Sequence, residues 1–223
     1  MKCVVTAGPT YEELDEVRRM TNFSTGTLGS GLADYLASLG HEVELLIGYY
    51  ATCPPAARVQ QRQTFTTTAD LRRRLAALAS PGVGAVFHVA AVSDFTFGKI
   101  WERTLAGELR EIQAAKIPAR PEGLLAELKP TPKIIRELRG WFPTAFLAGW
   151  KYELEGPLQA LSRGWEQLEE CQTDACVVNG RGYSEGGFGL LLKGGATTAC
   201  PDKAALFVAL GTCLQSRPQD GPQ

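Results

Sequence analysis

The run Ala85-Val86-Phe87-His88-Val89-Ala90-Ala91-Val92 is apolar at almost every position. A strand with one wet face alternates; a run that does not alternate is the mark of a strand buried on both faces. Such a strand needs helices above and below it, so this one segment points to an α/β fold around a parallel sheet. The remaining chain has the matching rhythm. Its spacing predicts strands over 2–6, 41–47, 59–65, 143–150 and 174–178. Leu28, Leu32, Ala33, Leu36 and Leu39 recur at helical spacing in a helix over 27–40 that Gly40 ends. A second helix, capped by Thr68 or Asp70, runs to Leu78, and Thr131-Pro132 opens a third with Pro near N1. Leu158, Leu161, Trp165, Leu168 and Cys171 share one face of a helix over 155–171, and residues 202–214 form the last. Phe188–Leu192 and Ala196–Cys200 pair as a hairpin through Lys193-Gly194-Gly195. The expected fold is therefore an α/β, Rossmann-like, doubly wound and mainly parallel sheet with a C-terminal β-hairpin.

The rhythm breaks between Ser93 and Lys129. Phe95 to Trp101 has no clear period, and extended segments at 105–112 and 123–129 flank Lys116-Ile117-Pro118-Ala119-Arg120-Pro121. This reads as an arm or flap over 95–129 that leaves the sheet and returns. One nucleotide-binding domain is expected over 1–214, followed by a polar tail over 215–223.

At 223 residues the chain buries a substantial core without staples. Its net charge of -1 provides no basic field for nucleic acid or an anionic membrane, so neither is expected as a partner. No apolar run reaches the ~18 residues of a membrane span, and the N-terminus is not a signal peptide. Six cysteines without a C-x-x-C pair, and no Cys/His cluster at zinc spacing, suggest reduced, cytoplasmic usage and no protein metal site. His41 and His88 are isolated; His88 reads as a satisfied core histidine rather than a base. Neither a Ser-His-Asp order nor a P-loop is present.

Chemistry concentrates where strands should end. Thr6-Ala7-Gly8-Pro9-Thr10 leads through Asp15, Val17 and Arg18 to Asn22-Phe23-Ser24-Thr25-Gly26. Gly26, Gly29 and Gly31 then open the first helix. A loop from a strand end to a helix N-terminus aims N–H groups at its occupant, which favours phosphate or carboxylate. A nucleotide or phosphorylated ligand at the carboxyl end of the sheet is the expectation. The glycines are not in G-x-G-x-x-G order and lie about twenty residues past the strand, so close helix packing is the other reading of them. Ala90 and Ala91 are small enough for a flat ring to approach, and Asp94 either accepts from an amino group or caps a turn. Gly149-Trp150-Lys151-Tyr152-Glu153 ends another strand, and Asn179-Gly180 is either a ligand contact or a turn. Lys116, on the arm, is either a phosphate clamp or a surface lysine.

Taken in order, Thr6 to Gly29, the His88 to Phe95 segment, Lys116-Ile117 and Asp174-Ala175-Cys176-Val177-Val178-Asn179 resemble the phosphopantothenoylcysteine synthetase family of coenzyme A biosynthesis. The likeness reaches to about Leu214, and the flavin-dependent decarboxylase often fused to this family has no counterpart, so the chain looks like a stand-alone synthetase. The resemblance implies a two-step ligation. A nucleoside triphosphate, CTP rather than ATP in the usual bacterial form, activates 4'-phosphopantothenate as an acyl-nucleotidylate with Mg²⁺, and the cysteine amine then displaces the nucleotide. It also implies a homodimer with arms reaching the other subunit's site. By the same resemblance, Gly8, Pro9 and Thr10 shape the loop beside the nucleotide, and Asn22 holds the acyl-nucleotidylate in the second step. Ser24, Gly26 and Gly29 belong to the phosphate-facing turn. Ala90, Ala91 and Asp94 receive the nucleotide, Lys116 is the flap lysine, and Asn179 closes the sixth strand.

The chain departs from the family in places. Further flap lysines are replaced by Pro118 and Ala119, with Arg120 next. A small strand end becomes bulky at Trp150, whose indole is able to stack on a base, and Lys151 stands in for a lost charge. Helix lysines are replaced by Gln167 and Cys171, with Arg163 a turn earlier. Two other readings remain: a divergent relative that binds such ligands with altered or no ligation, and a nicotinamide-dependent reductase. The reductase ranks low, because Gly48 stands where an acidic residue should end the second strand and no Tyr-x-x-x-Lys pair occurs.

Overall fold

A computed structural model describes residues 1–118 and 123–215. In chain order it contains β1 (Lys2–Ala7), β2 (Tyr11–Glu13), β3 (Arg19–Thr21), α1 (Thr27–Ser38), β4 (Glu42–Gly48), β5 (Gln61–Phe65), α2 (Thr68–Ala77) and β6 (Val83–His88). An arm of β7 (Phe95–Arg103), β8 (Leu109–Ile112) and β9 (Leu124–Pro130) follows. The chain then returns through α3 (Ile134–Trp141), β10 (Phe146–Tyr152), α4 (Pro157–Glu170), β11 (Ala175–Asn179), β12 (Phe188–Leu192), β13 (Thr197–Cys200) and α5 (Lys203–Gln215).

Eight of the strands form one sheet in the order β13-β12-β11-β10-β6-β1-β4-β5. The six from β5 to β11 are parallel, and β12 and β13 join antiparallel as the predicted hairpin. Winding reverses between β1 and β6, which makes their carboxyl ends the topological switch point where α/β sheets take ligands.

Period-two side-chain alternation divides the core. Val5, Phe87, Ala148 and Val177 pack toward α1 and α5, with the rings of Phe87 and Phe146 6.0 Å apart. Val4, Val86 and Leu147 pack toward α2 and α3, and Cys176 and Val178 lie under α4. Helices thus cover both faces, as the unbroken apolar run requires. Gly29 sets how closely α1 approaches, since a Cβ there would stand 2.7 Å from Ala7 Cβ and 2.8 Å from the Thr6 carbonyl oxygen.

Several boundaries differ from expectation, each for a local reason. β6 stops at His88, because Ala91 leaves the ladder to bridge Pro9 in the loop after β1. The cap of α2 is Thr67, whose hydroxyl accepts from Asp70 N at 3.2 Å, rather than Thr68 or Asp70. α3 begins after Lys133 instead of at Thr131. Thr131, disfavoured in a helix by the proline that follows, bonds back through its hydroxyl to Ser93 O and through its N–H to Asp94 O. β5 and β10 begin at Gln61 and Phe146, later than expected.

The arm is a three-stranded antiparallel sheet, β8-β7-β9. Phe95 to Trp101 is its central strand, bulged between Phe97 and Ile100, where a Cβ on Gly98 would run into Glu127. The short β2–β3 hairpin was not anticipated. Ala119, Arg120 and the tail beyond Gln215 lie outside the described residues.

Candidate active site

Two glycines set the shape of the cleft at the switch point. Gly8 (φ 80°) and Gly26 (φ 81°) both lie in the left-handed region that side chains disfavour. They pack together, since a Cβ on Gly26 would sit 3.3 Å from Gly8 N. Gly26 is also the N-cap of α1, so no N-cap side chain fills the mouth of a twelve-residue helix. First-turn N–H groups there suit an anion. Gly29 is different: it is buried against β1 and acts as a packing residue. Ser24 is half-buried between an exposed Phe23 and Thr25.

The loop after β1 runs beside the segment after β6. Ala91 N donates to Gly8 O at 3.0 Å, and Thr10 N donates to Ala91 O at 3.1 Å. Thr10 is fully buried, and its hydroxyl bridges Ser93 and Thr68, so it shapes the loop from behind. Pro9 is buried in the same turn, and Ala90 N donates to the Thr6 hydroxyl at 3.0 Å. Asn22, exposed at the exit of β3, donates Nδ2 to Ala91 O at 3.1 Å. A carbonyl only accepts, so the amide nitrogen must face it. Oδ1 and the second Nδ2 hydrogen take no hydrogen bond among the described residues.

Asp94 is exposed just beyond, ion-paired to Lys133. Sequence reasoning missed Lys133. It becomes an N-cap only because α3 starts after it rather than at Thr131, and a lysine there opposes the helix dipole and calls for an anion beside it. Across the cleft, Trp150 packs on the α1/α5 face, and its buried Nε1 lacks a hydrogen-bond partner. Lys151 points the other way, near enough to the buried thiols of Cys171 and Cys176 to act on both. Asn179 O accepts from Glu153 N at 2.8 Å, and Gly180 turns the chain with φ 107°.

Neither Arg163 nor Gln167, which stand at or near the places of the family's helix lysines, offers a free charge to the cleft. Arg163 donates to Glu153 at 2.5 Å and to Glu155 at 2.8 Å, which neutralises it. Gln167 is buried beneath Gly149, with Nε2 donating to Cys176 Sγ at 3.3 Å.

Burial disfavours two thiols as nucleophiles and one imidazole as a base. It pushes the thiols of Cys3 and Cys176 up to about 12 and the imidazole of His88 down to about 4. His88 Nδ1 lies 3.1 Å from the Thr6 hydroxyl, as expected of a core histidine. Among the described residues no three His, Cys, Asp or Glu side chains group as a metal site.

Lys116 stands on the arm, exposed, without an ion pair among the described residues. Both its neighbours are held: Ala115 O accepts from Glu16 N at 3.0 Å, and Ile117 N donates to Asp15 Oδ2 at 3.0 Å.

Residues 1–193 match the family model of the DNA/pantothenate metabolism flavoprotein C-terminal domain. The chain belongs to this family. The coenzyme A biosynthesis bifunctional protein CoaBC of Thermococcus kodakarensis is 30% identical over 179 residues, covering 80% of this chain and 41% of its own length. The crystal structure of the DNA/pantothenate metabolism flavoprotein from Streptococcus pneumoniae superposes with a TM-score of 0.83 at 27% identity, over 97% of this chain and 99% of that one. A Cab2 mutant in complex with phosphopantothenate-cysteine shares the fold, with a TM-score of 0.69 at 18% identity over 96% of this chain and 87% of that one. The chain spans about two fifths of the length of the curated relatives it matches. Like the family's fold, its sheet is mainly parallel and α/β, and no helix among the described residues is long and apolar enough to cross a membrane.

Proposed function

We propose that this family member joins 4'-phosphopantothenate to cysteine. A nucleoside triphosphate, CTP in preference to ATP, activates the carboxylate as an acyl-nucleotidylate with loss of pyrophosphate. The cysteine amine then attacks the acyl carbon, forming the amide and releasing the nucleoside monophosphate. The observation that carries this reading is the Asn22 amide, fixed on Ala91 O beside the open mouth of α1. The CoaBC relatives are named for coenzyme A biosynthesis, and the Cab2 complex holds the corresponding product, which supports the choice of substrates.

Such a reaction needs an anion cradle, a charge clamp and exclusion of water, but no protein nucleophile. The N-terminus of α1 cradles phosphate, with Gly8, Gly26 and Ser24 shaping its approach. The second N–H of Asn22 donates to the acyl carbonyl, and Oδ1 accepts from the incoming amine. Lys116 neutralises the charge that develops on the departing phosphate. Asp94, Ala90 and Ala91 receive the nucleoside, Trp150 offers its free indole N–H, and Asn179 bounds the far side. Lys151, on the α4 face, bears on this site only through the sheet. The donor set fits Mg²⁺ that enters already bound to the triphosphate, with few protein ligands.

A second copy of the chain is proposed to cover the arm, where Leu105, Leu109 and Leu128 are about half exposed or more. These leucines are spread along the arm, on both of its outer strands and at the turn, and cover by a second copy would take them out of water. A second reading, nucleotide binding without ligation, is favoured by one observation, the neutralised Arg163. A nicotinamide reductase is disfavoured by packing, since a Cβ at Gly48 would run into the backbone of Pro9.

Incubation with 4'-phosphopantothenate, cysteine, Mg²⁺ and CTP should yield phosphopantothenoylcysteine by mass. Nucleotide binding without product under CTP or ATP would favour the second reading.

A further inference from the structure

The turn between β2 and β3 makes more bonds than a turn requires. Asp15 Oδ1 accepts from Val17 N at 3.0 Å and Arg18 N at 2.7 Å, which by itself closes the turn. Oδ2 reaches elsewhere. It accepts from Arg18 Nε at 3.1 Å, from Arg18 Nη2 at 2.5 Å and from Ile117 N at 3.0 Å. Arg18 Nη2 also donates to Ile117 O at 2.5 Å, and Glu16 N donates to Ala115 O at 3.0 Å. The Asp15 side chain is 1% exposed. The Arg18 guanidinium beside it holds the carboxyl well below the usual carboxylate range. A covered carboxylate is tolerated only when its acceptor sites are filled, and here the arm fills one of them.

Ile117 completes the join. Its side chain is 3% exposed and shares a cleft with Leu14 and Ile100, at the root of the arm. Lys116 lies between two fixed residues with its own side chain exposed. The same hairpin ends at Asn22, after Thr21 donates its hydroxyl to Thr10 O at 2.8 Å. One element, residues 11–22, therefore carries Asn22 at its exit and grips the neighbours of Lys116 at its turn.

We infer that Asp15 and Arg18 are positioning residues for Lys116, acting through the backbone of Ala115 and Ile117 to hold the ammonium in register with Asn22. This rests on the ligase reading for its catalytic half. The mechanical half stands on the hydrogen bonds alone.

Two readouts test it in full-length protein. The first is native-state trypsin cleavage of the Lys116–Ile117 bond, followed by mass. Asp15→Ala should speed it about tenfold or more, because an amide whose local hydrogen bonds are lost opens more often. Asp15→Asn keeps an acceptor for the turn but loses the charge that holds Arg18, and should speed cleavage while the thermal midpoint stays near that of the wild type. The second is kinetic. Asp15→Asn should lower kcat about tenfold with a smaller change in KM for CTP, and the double variant Asp15→Asn/Lys116→Ala should be no slower than Lys116→Ala alone. Unchanged cleavage, or losses that multiply in the double variant, would overturn the inference. A wild-type protein that forms no product contradicts the ligase reading instead, and the cleavage rates then decide the clamp by themselves.

Discussion

Asn22 and Thr10 donate to the same carbonyl oxygen, that of Ala91, each at 3.1 Å. Thr10 uses its backbone N–H and Asn22 its side-chain amide, so the loop after β1 and the exit of β3 converge on one acceptor at the end of β6. This convergence fixes the orientation of a side-chain amide at the mouth of the cleft without consuming its second N–H or its oxygen. A group oriented in this way is suited to recognise a carbonyl and an amine together.

Lys116 is expected to act on charge that develops during reaction rather than on bound nucleotide. Lys116→Ala should therefore lower kcat about 10²–10³-fold, the range for loss of one charge-stabilising donor, with KM for the nucleotide changed much less. Steady-state kinetics with CTP varied at saturating 4'-phosphopantothenate and cysteine measure both. A change confined to nucleotide affinity would remove Lys116 from the chemical step.

Gly29 makes a prediction about stability. A methyl group at this position meets Ala7 Cβ and the Thr6 carbonyl oxygen, neither of which can swing aside. Gly29→Ala should cost about 1–3 kcal/mol, the usual penalty for overpacking, read as a lower urea midpoint with an unchanged slope. A midpoint equal to wild type would show that α1 can shift from β1 freely.

His88 makes a prediction about pH. Burial lowers its imidazole from 6.5 to about 4, so the unfolded chain takes up this proton first as pH falls. The stability contribution is complete above pH 6.5 and is lost as pH falls toward 4. The loss is on the order of 2–3 kcal/mol by pH 4.5. His88→Gln should flatten the urea midpoint between pH 7 and pH 4.5 relative to wild type. Parallel profiles for the two proteins would assign the slope to other groups.

How much of this was legible in the chain depended on the range of the interactions involved. The parallel strands themselves followed from buried runs such as Ala85 to His88, and the terminal hairpin from Lys193-Gly194-Gly195, because both signals are local. The arm was visible as a lost rhythm but not as a sheet, since β7 lies half-exposed on both faces and has no period to read. Residues β2 and β3 span only three positions each and are held by side chains such as Thr21, which bonds to Thr10, and Arg18, which bonds to Ile117 across 99 positions. No local window on the sequence spans the Arg18–Ile117 pair. In the site, Asn22, Asp94 and Lys116 were named from the chain, while their holders, Ala91, Lys133 and Asp15, emerge only from the fold. The partners of Arg163 and Gln167, Glu153 and Cys176, were hidden for the same reason: they are set by the packing of α4 on the sheet.

The most direct test compares wild type with Asn22→Asp, following pyrophosphate and amide product in the same sample, with 4'-phosphopantothenate, Mg²⁺ and CTP, before and after cysteine is added. Wild type should release pyrophosphate only with 4'-phosphopantothenate present and form the amide once cysteine arrives. Asn22→Asp replaces the donor that faces Ala91 O with a carboxylate oxygen, so it should still release pyrophosphate but form little or no amide. Equal loss of both half-reactions in the variant, or a folded wild type that releases no pyrophosphate at all, would contradict the account.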